Sequence, residues 1–204
     1  MIIKICGLKT VPEAVAAAEA GADMIGLNFY EPSPRYVDEE TAKKICAALP
    51  RGVMKVGVFV NKSVDQILDT AQFCGLHAVQ IHGDFPAKDP RALAPLKVIR
   101  AFNISTKADL KRLSGVSADF LLIDAPVKGM HGGTGQKCDW KLASHAMAYG
   151  KVLLAGGLRP ENVREAIRQA SPAGVDVASG VETAPGVKSI ALIRNFIEAV
   201  RAAA

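Results

Sequence analysis

The chain has 204 residues, half of them hydrophobic, a formal net charge of +5 and no low-complexity tract, which fits one domain able to bury a core. Its basic residues are scattered, which argues against nucleic acid; no apolar run approaches the roughly 20 residues of a membrane span. The opening residues carry no signal-peptide pattern, so a cytoplasmic protein is expected, and Cys6, Cys46, Cys74 and Cys138 stand too far apart for a CxxC, so reduced thiols are expected.

Residues 2–6 read as a strand ended by Gly7. The helix over 11–20 should turn Ala14, Val15 and Ala18 inward, with Val11 as a further candidate, before Gly21 caps it. A second strand over 24–29 leads into EPSPRYV, a loop rich in helix breakers. Asp38 then caps a helix to Leu49, 53–60 is the third strand, and a helix opening at 61–63 carries Val64, Ile67, Leu68 and Ala71 to Gly75. Strand four is 79–82, a short helix near Arg91 leads to strand five at 98–102, and 106–113 is helical. Strand six at 120–123 is followed by a long loop over 124–138, and Asp139 begins the next helix. Strand seven, 152–155, finishes in Gly156 and Gly157, and strand eight, 175–177, leads to Ser179 and Gly180. Pro160 should open the helix between them, as proline does at a first helical position, with Val163, Ala166, Ile167 and Ala170 as its buried face. Residues 189–200 form the last helix.

Eight strand–helix units of about 25 residues each, with no linker or break in composition, imply an α/β fold: a single (β/α)8 TIM barrel over 1–204. A doubly wound open sheet is the runner-up, but it usually needs fewer strands and offers one crevice. In a barrel the working groups sit at the C-terminal ends of the strands and in the loops beyond them. The polar residues so placed are Cys6, Asn28, Arg35, Asn61, His82, Asn103, Asp124 and Ser179. The two glycine turns after strands seven and eight expose backbone N–H groups that suit a phosphate; each alone could simply close a tight turn. A third glycine-rich stretch, Gly132 to Gly135, offers either a further phosphate contact or a hinge, within a loop long enough to fold over a ligand.

Cys6 and Asp124 form a candidate acid–base pair. With a strand period of two, Lys4 lies one layer below Cys6 on the same face, and an ammonium there favours thiolate. Strand eight closes against strand one, so an ion pair between Lys4 and Asp176 is expected beneath the thiol. A small buried hydrophobe is the alternative for Cys6. Asp124 follows four apolar residues and is either a half-buried general acid or a capping group in its loop. His82 either binds substrate or is a satisfied, partly buried histidine. Arg35, in a proline-stiffened loop, suits a bidentate grip on a carboxylate, or is merely solvated. The four histidines lack HxxxH or HxH spacing, and neither GxGxxG nor a P-loop is present, so neither metal nor nucleotide cofactor is implied.

Together KICGL at 4–8, SPRYV at 33–37, VGVFVN at 56–61, VQIHGD at 79–84, LLIDA at 121–125, GGTG at 132–135, LAGGL at 154–158 and DVASGVE at 176–182 resemble the phosphoribosylanthranilate isomerases of tryptophan biosynthesis. The resemblance implies a cofactor-free Amadori rearrangement on a (β/α)8 barrel. It implies Cys6 as general base, Asp124 as general acid and Arg35 on the anthranilate carboxylate, with His82 lining the site. The phosphate would be held by backbone amides around Gly133, Thr134 and Gly135, Gly156 and Gly157, and Ser179 and Gly180. The implied partner is phosphoribosylanthranilate alone, with no nucleic acid, no membrane, and a monomer or homodimer. Two departures stand out. Ala178 replaces the first serine of the more frequent DVSSGVE, and Pro32 adds a proline before SPR. The histidine-biosynthesis isomerases use an aspartate where Cys6 stands, indole-glycerol-phosphate synthases need a lysine acid and an N-terminal extension, and a catalytically silent barrel would be marked by loss of Cys6 or Asp124.

Overall fold

Eight parallel strands close into a barrel in sequence order in the computed structural model, which describes residues 1–84, 90–124 and 140–203. They are β1 (Ile2–Cys6), β2 (Met24–Asn28), β3 (Met54–Val60), β4 (Ala78–His82), β5 (Lys97–Asn103), β6 (Phe120–Asp124), β7 (Val152–Ala155) and β8 (Gly174–Val177). Closure sets Lys4 of β1 opposite Asp176 of β8, and Cys6 opposite Gly26 of β2. Period-two alternation then separates two apolar layers. Ile3, Ile5, Ile25, Val79, Ile81 and Ile123 face outward and pack against the helices. Met24, Val56, Ala78, Ile99, Phe120, Leu122, Leu153 and Ala155 fill the barrel interior. Ile5, Ile25 and Val79 are fully buried, and burying a side chain of that size contributes roughly 1.5–3 kcal/mol.

The covering helices are α1 (Val11–Ala20), α2 (Glu39–Ala48), α3 (Val64–Cys74), α4 (Trp140–Ser144), α5 (Val163–Ala170) and α6 (Ile190–Arg201). Their starts follow capping chemistry. Thr10, Asp38, Ser63 and Ser189 each accept a backbone N–H from the first turn, and Ser63 with Gln66 forms a capping box. Left-handed Gly21 and Gly75 end α1 and α3.

Four features differ from the sequence reading. Helix α1 buries Ala14, Ala17 and Ala18 and leaves Val15 half-buried, because its inner stripe, wedged between sheet and neighbouring helices, follows i, i+3, i+4 spacing from Ala14. The connections after β4 and β5 are 3-10 turns, Pro90–Leu93 and Lys107–Leu113, and α4 is a short helix continued by 3-10 structure at His145–Tyr149. Regular α5 starts at Val163, not Pro160, because the Asn162 amide is committed to the preceding turn, accepting from Arg159 N at 2.8 Å and donating to Gly157 O at 2.9 Å. Finally, β9 (Glu182–Ala184) and β10 (Val187–Lys188) form an antiparallel hairpin before α6 that the sequence reading did not include. Its tip glycine, Gly186, has φ +76° and lies so close to the Pro34 carbonyl that a Cβ would approach it to 2.2 Å. The eighth loop is thereby seated on the second. The helix start expected at Asp139 lies outside the described residues.

Candidate active site

The C-terminal strand ends converge on a cavity of about 320 Å³. Its lining contains Cys6, Asn28, Arg35, Gln80, His82, Asp124 and Asp176, together with Gly156, Gly157, Ser179 and Gly180 from the turns after β7 and β8. Of the polar strand-end candidates, Asn61 lines a different surface hollow and Asn103 does not line the mouth. Gly133, Thr134 and Gly135 fall outside the described residues. A larger hollow of about 530 Å³ lies outside the mouth, among Phe59, Phe73, Asp38, Glu39 and their neighbours, and its lining contains no cysteine or histidine.

Cys6 ends β1 just before Gly7, whose φ is +79°. A Cβ at Gly7 would come within 2.6 Å of Arg35 Cδ, so the missing side chain makes room for the arginine stem. Gly26 performs the same service across the sheet, where a Cβ would lie 2.7 Å from Cys6 Sγ and 3.2 Å from Lys4 Nζ. The expected ion pair is present. Lys4 Nζ donates to Asp176 Oδ1 at 2.6 Å with both side chains buried. Burial works against the charge on Lys4, but Asp176 and then Cys6 outweigh it and hold the ammonium above its ordinary value.

The thiol corrects an expectation. Lys4 does favour the thiolate, yet the Cys6 pKa is raised, because burial outweighs the ammonium and Asp176 adds a second charge of the wrong sign. Burial thus favours the neutral thiol over the thiolate. Asp124, at the top of β6, is pushed up by burial and then by Asp176. His82 is held low by burial and by Lys4, which keeps it neutral. Its Nε2 lies 2.7 Å from Gln80 Nε2. Gln80 itself is buried, and its Oε1 has no hydrogen-bond partner among the described residues.

Arg35 grips a carboxylate bidentately, as its setting suggested, but the carboxylate belongs to Glu182 of β9. Arg35 Nε and Nη2 donate to Glu182 Oε1 and Oε2, both at 2.7 Å. Asn28 and Arg35 N both donate to Ser33 Oγ, which fixes the loop that presents the arginine. Lys188 of β10 completes the cluster, donating to Glu182 Oε1 at 2.8 Å and Ala178 O at 2.9 Å. Sequence reasoning quoted Gln80 and Glu182 inside motifs without singling them out, and it missed Lys188. The Pro185–Gly186 dipeptide was the available signal for the hairpin that carries it.

The two glycine turns meet backbone to backbone. Gly156 and Gly157 have φ values of +89° and +61°, and Asn162 pins their turn through Gly157 O. A Cβ on Gly180 would fall 1.8 Å from the Leu158 carbonyl oxygen. Turns of this kind present amide N–H groups to an anion. Among the described residues, no group of three His, Cys, Asp or Glu side chains is placed to hold a metal ion, and no helix is long and apolar enough to cross a membrane.

Known proteins resemble this chain over nearly its whole length. The family model for N-(5′-phosphoribosyl)anthranilate (PRA) isomerase matches residues 3–199. The N-(5′-phosphoribosyl)anthranilate isomerase of Rubrobacter xylanophilus is 41% identical over 204 residues, covering 98% of each chain. The crystal structure of phosphoribosyl anthranilate isomerase from Thermotoga maritima superposes with a TM-score of 0.91 at 39% identity, covering 99% of this chain and 100% of that one. A phosphoribosyl anthranilate isomerase structure in complex with reduced 1-(o-carboxyphenylamino)-1-deoxyribulose 5-phosphate superposes with a TM-score of 0.88 at 38% identity, again over 99% and 100% of the two chains.

Proposed function

The chain belongs to the N-(5′-phosphoribosyl)anthranilate isomerase family of tryptophan biosynthesis, and from that premise we propose that Cys6 and Asp124 carry the isomerisation as base and acid. The observation that supports this reading is that a thiol and a carboxyl whose pKa is raised by burial line one cavity beside two glycine turns. Asp124 gives its proton to the furanose ring oxygen of N-(5-phosphoribosyl)anthranilate, and the amine lone pair opens the ring to a protonated Schiff base. Cys6 as thiolate removes the C2′ proton, and the released electron pair neutralises the nitrogen, giving an enolamine. The enolamine becomes the ketone by gaining a proton at C1′ and losing one from the C2′ hydroxyl. When Cys6 supplies the first and Asp124 receives the second, both groups return to their starting states. The product is 1-(2-carboxyphenylamino)-1-deoxyribulose 5-phosphate.

In the same reading the amides around Gly156, Gly157, Ser179 and Gly180 hold the phosphate, the stretch Gly133 to Gly135 adds to them, Arg35 meets the anthranilate carboxylate, and neutral His82 lines the sugar subsite. Ala178 supplies no hydroxyl in the eighth turn, but backbone donors suffice. The test is turnover of phosphoribosylanthranilate generated in situ, followed by the loss of its fluorescence. Cys6→Ala and Asp124→Asn should each lower kcat by about 10²-fold or more, the scale of a lost acid or base. Wild-type turnover undiminished in either variant would overturn that residue's role.

A further inference from the structure

Arg35 has five N–H donors, of which Glu182 takes the Nε–H and one on Nη2. The donors left over, on Nη1 and the outer side of Nη2, form the end-on fork that matches a second carboxylate. The side chain lines the cavity and is 24% exposed, whereas Glu182 is 4% exposed and Lys188 fully buried. One arginine beside one glutamate would cancel in charge and attract no anion. Lys188 changes that sum: two cations face one carboxylate, and a single positive charge remains, at the only exposed member of the three. Burying an ammonium is costly, so its place behind Glu182 calls for a purpose beyond holding a hairpin.

We propose that Glu182 and Lys188 are positioning residues for substrate carboxylate recognition: Glu182 fixes one edge of Arg35 so that the other faces the cavity, and Lys188 neutralises Glu182 so that the charge of Arg35 stays available. The inference rests on the reading of Arg35 as the carboxylate contact. Its reach is to the aromatic amine half of the substrate, and it assigns specificity for an ortho-carboxylated amine to an assembly drawn from the second and eighth loops.

The experiment compares two glycosylamines formed from ribose 5-phosphate, one with anthranilate and one with aniline, which lacks the carboxylate. Product is measured by chromatography for wild type, Arg35→Ala, Glu182→Gln and Lys188→Met at physiological ionic strength, where added long-range attraction is largely screened. Wild type should prefer the anthranilate compound, and each variant should lose about tenfold or more of that preference, through KM rather than kcat. Glu182→Gln keeps the side chain's shape while setting an amide donor against Arg35 Nη2, so it tests the proposal even where Lys188→Met fails to fold. Retained preference in Glu182→Gln, with Arg35→Ala losing it, overturns the positioning roles. Retained preference in Arg35→Ala overturns instead the reading of Arg35 on which they rest.

Discussion

Removing one partner of the buried pair beneath the thiol should damage stability and chemistry with separable signs. Lys4 and Asp176 meet at 2.6 Å with side-chain exposures of 0% and 9%. Lys4→Met strands a carboxylate inside the barrel, and Asp176→Asn strands an ammonium. Loss of one member of such a pair costs about 3–5 kcal/mol, a drop of roughly 1–5 M in the urea midpoint at slopes of about 1–3 kcal/mol/M. The double variant should be less damaged than the two single losses added together, by up to about 3 kcal/mol of coupling. The thiol should move in opposite directions. Asp176→Asn removes a charge that raises the Cys6 pKa and leaves Lys4 unopposed, so the pKa falls; Lys4→Met removes the group that lowers it, so the pKa rises. Urea unfolding gives the first set of numbers, and the pH dependence of Cys6 alkylation, resolved by mass spectrometry, gives the second. Single losses below about 1 kcal/mol, the scale of an exposed pair, or thiol shifts of the same sign would refute the reasoning.

The raised Cys6 pKa makes a prediction about pH. The productive form needs Cys6 ionised and Asp124 protonated, the reverse of their ordinary order, since a thiol titrates above a carboxyl. As pH rises between the two values, the thiolate fraction grows as fast as the protonated carboxyl fraction shrinks, so wild-type kcat/KM should be flat through neutrality. Asp124→Asn removes the falling factor, and its residual kcat/KM should climb about tenfold per pH unit until Cys6 ionises; a flat profile for that variant would count against Cys6 as the base. Stability shifts the other way: because burial raises the Asp124 pKa, its stabilising contribution is complete below the ordinary carboxyl value and is lost as pH rises through the folded value. Asp124→Asn should therefore melt higher than wild type at neutral pH and match it in acid. Gly26→Ala would place a methyl 2.7 Å from Cys6 Sγ and 3.1 Å from Cys6 Cα. Overpacking of this kind costs about 1–3 kcal/mol, so a lower melting temperature with lost turnover is expected, and wild-type turnover would show that the thiol does not need that space.

The barrel was legible because its signals are local and repeated: apolar strands at even spacing, a cap at Asp38, a helix start at 61–63, and glycines at Gly21 and Gly75. Parity and closure even placed Lys4 against Asp176, since a period of two leaves each strand residue only two faces. What escaped depends on depth and on contacts between distant loops. The sign of the thiol shift turns on how completely Cys6 is buried, which its neighbours in sequence do not state. The expected ammonium was there, and desolvation was stronger. Arg35 read as a carboxylate binder but its partner Glu182 is 147 positions away, in a hairpin whose tip at Gly186 sits on Pro34. Gln80 lay in plain view within VQIHGD, but an amide inside an apolar strand looks the same in sequence whether its oxygen is satisfied or not.

The close approach of Gly180 to the Leu158 carbonyl has a consequence for how such barrels can be recombined. With 1.8 Å between that oxygen and any added Cβ, the seventh and eighth turns are two halves of one moulding rather than interchangeable parts. A crossover between related genes that falls in α5 would inherit one half from each parent. It would succeed only where the parent supplying β8 carries glycine at position 180 and the parent supplying β7 keeps the same backbone path through position 158. Exchange of the whole quarter-barrel from β7 onward would carry the moulding intact, which makes the start of β7, rather than the start of β8, the natural seam for building chimeras.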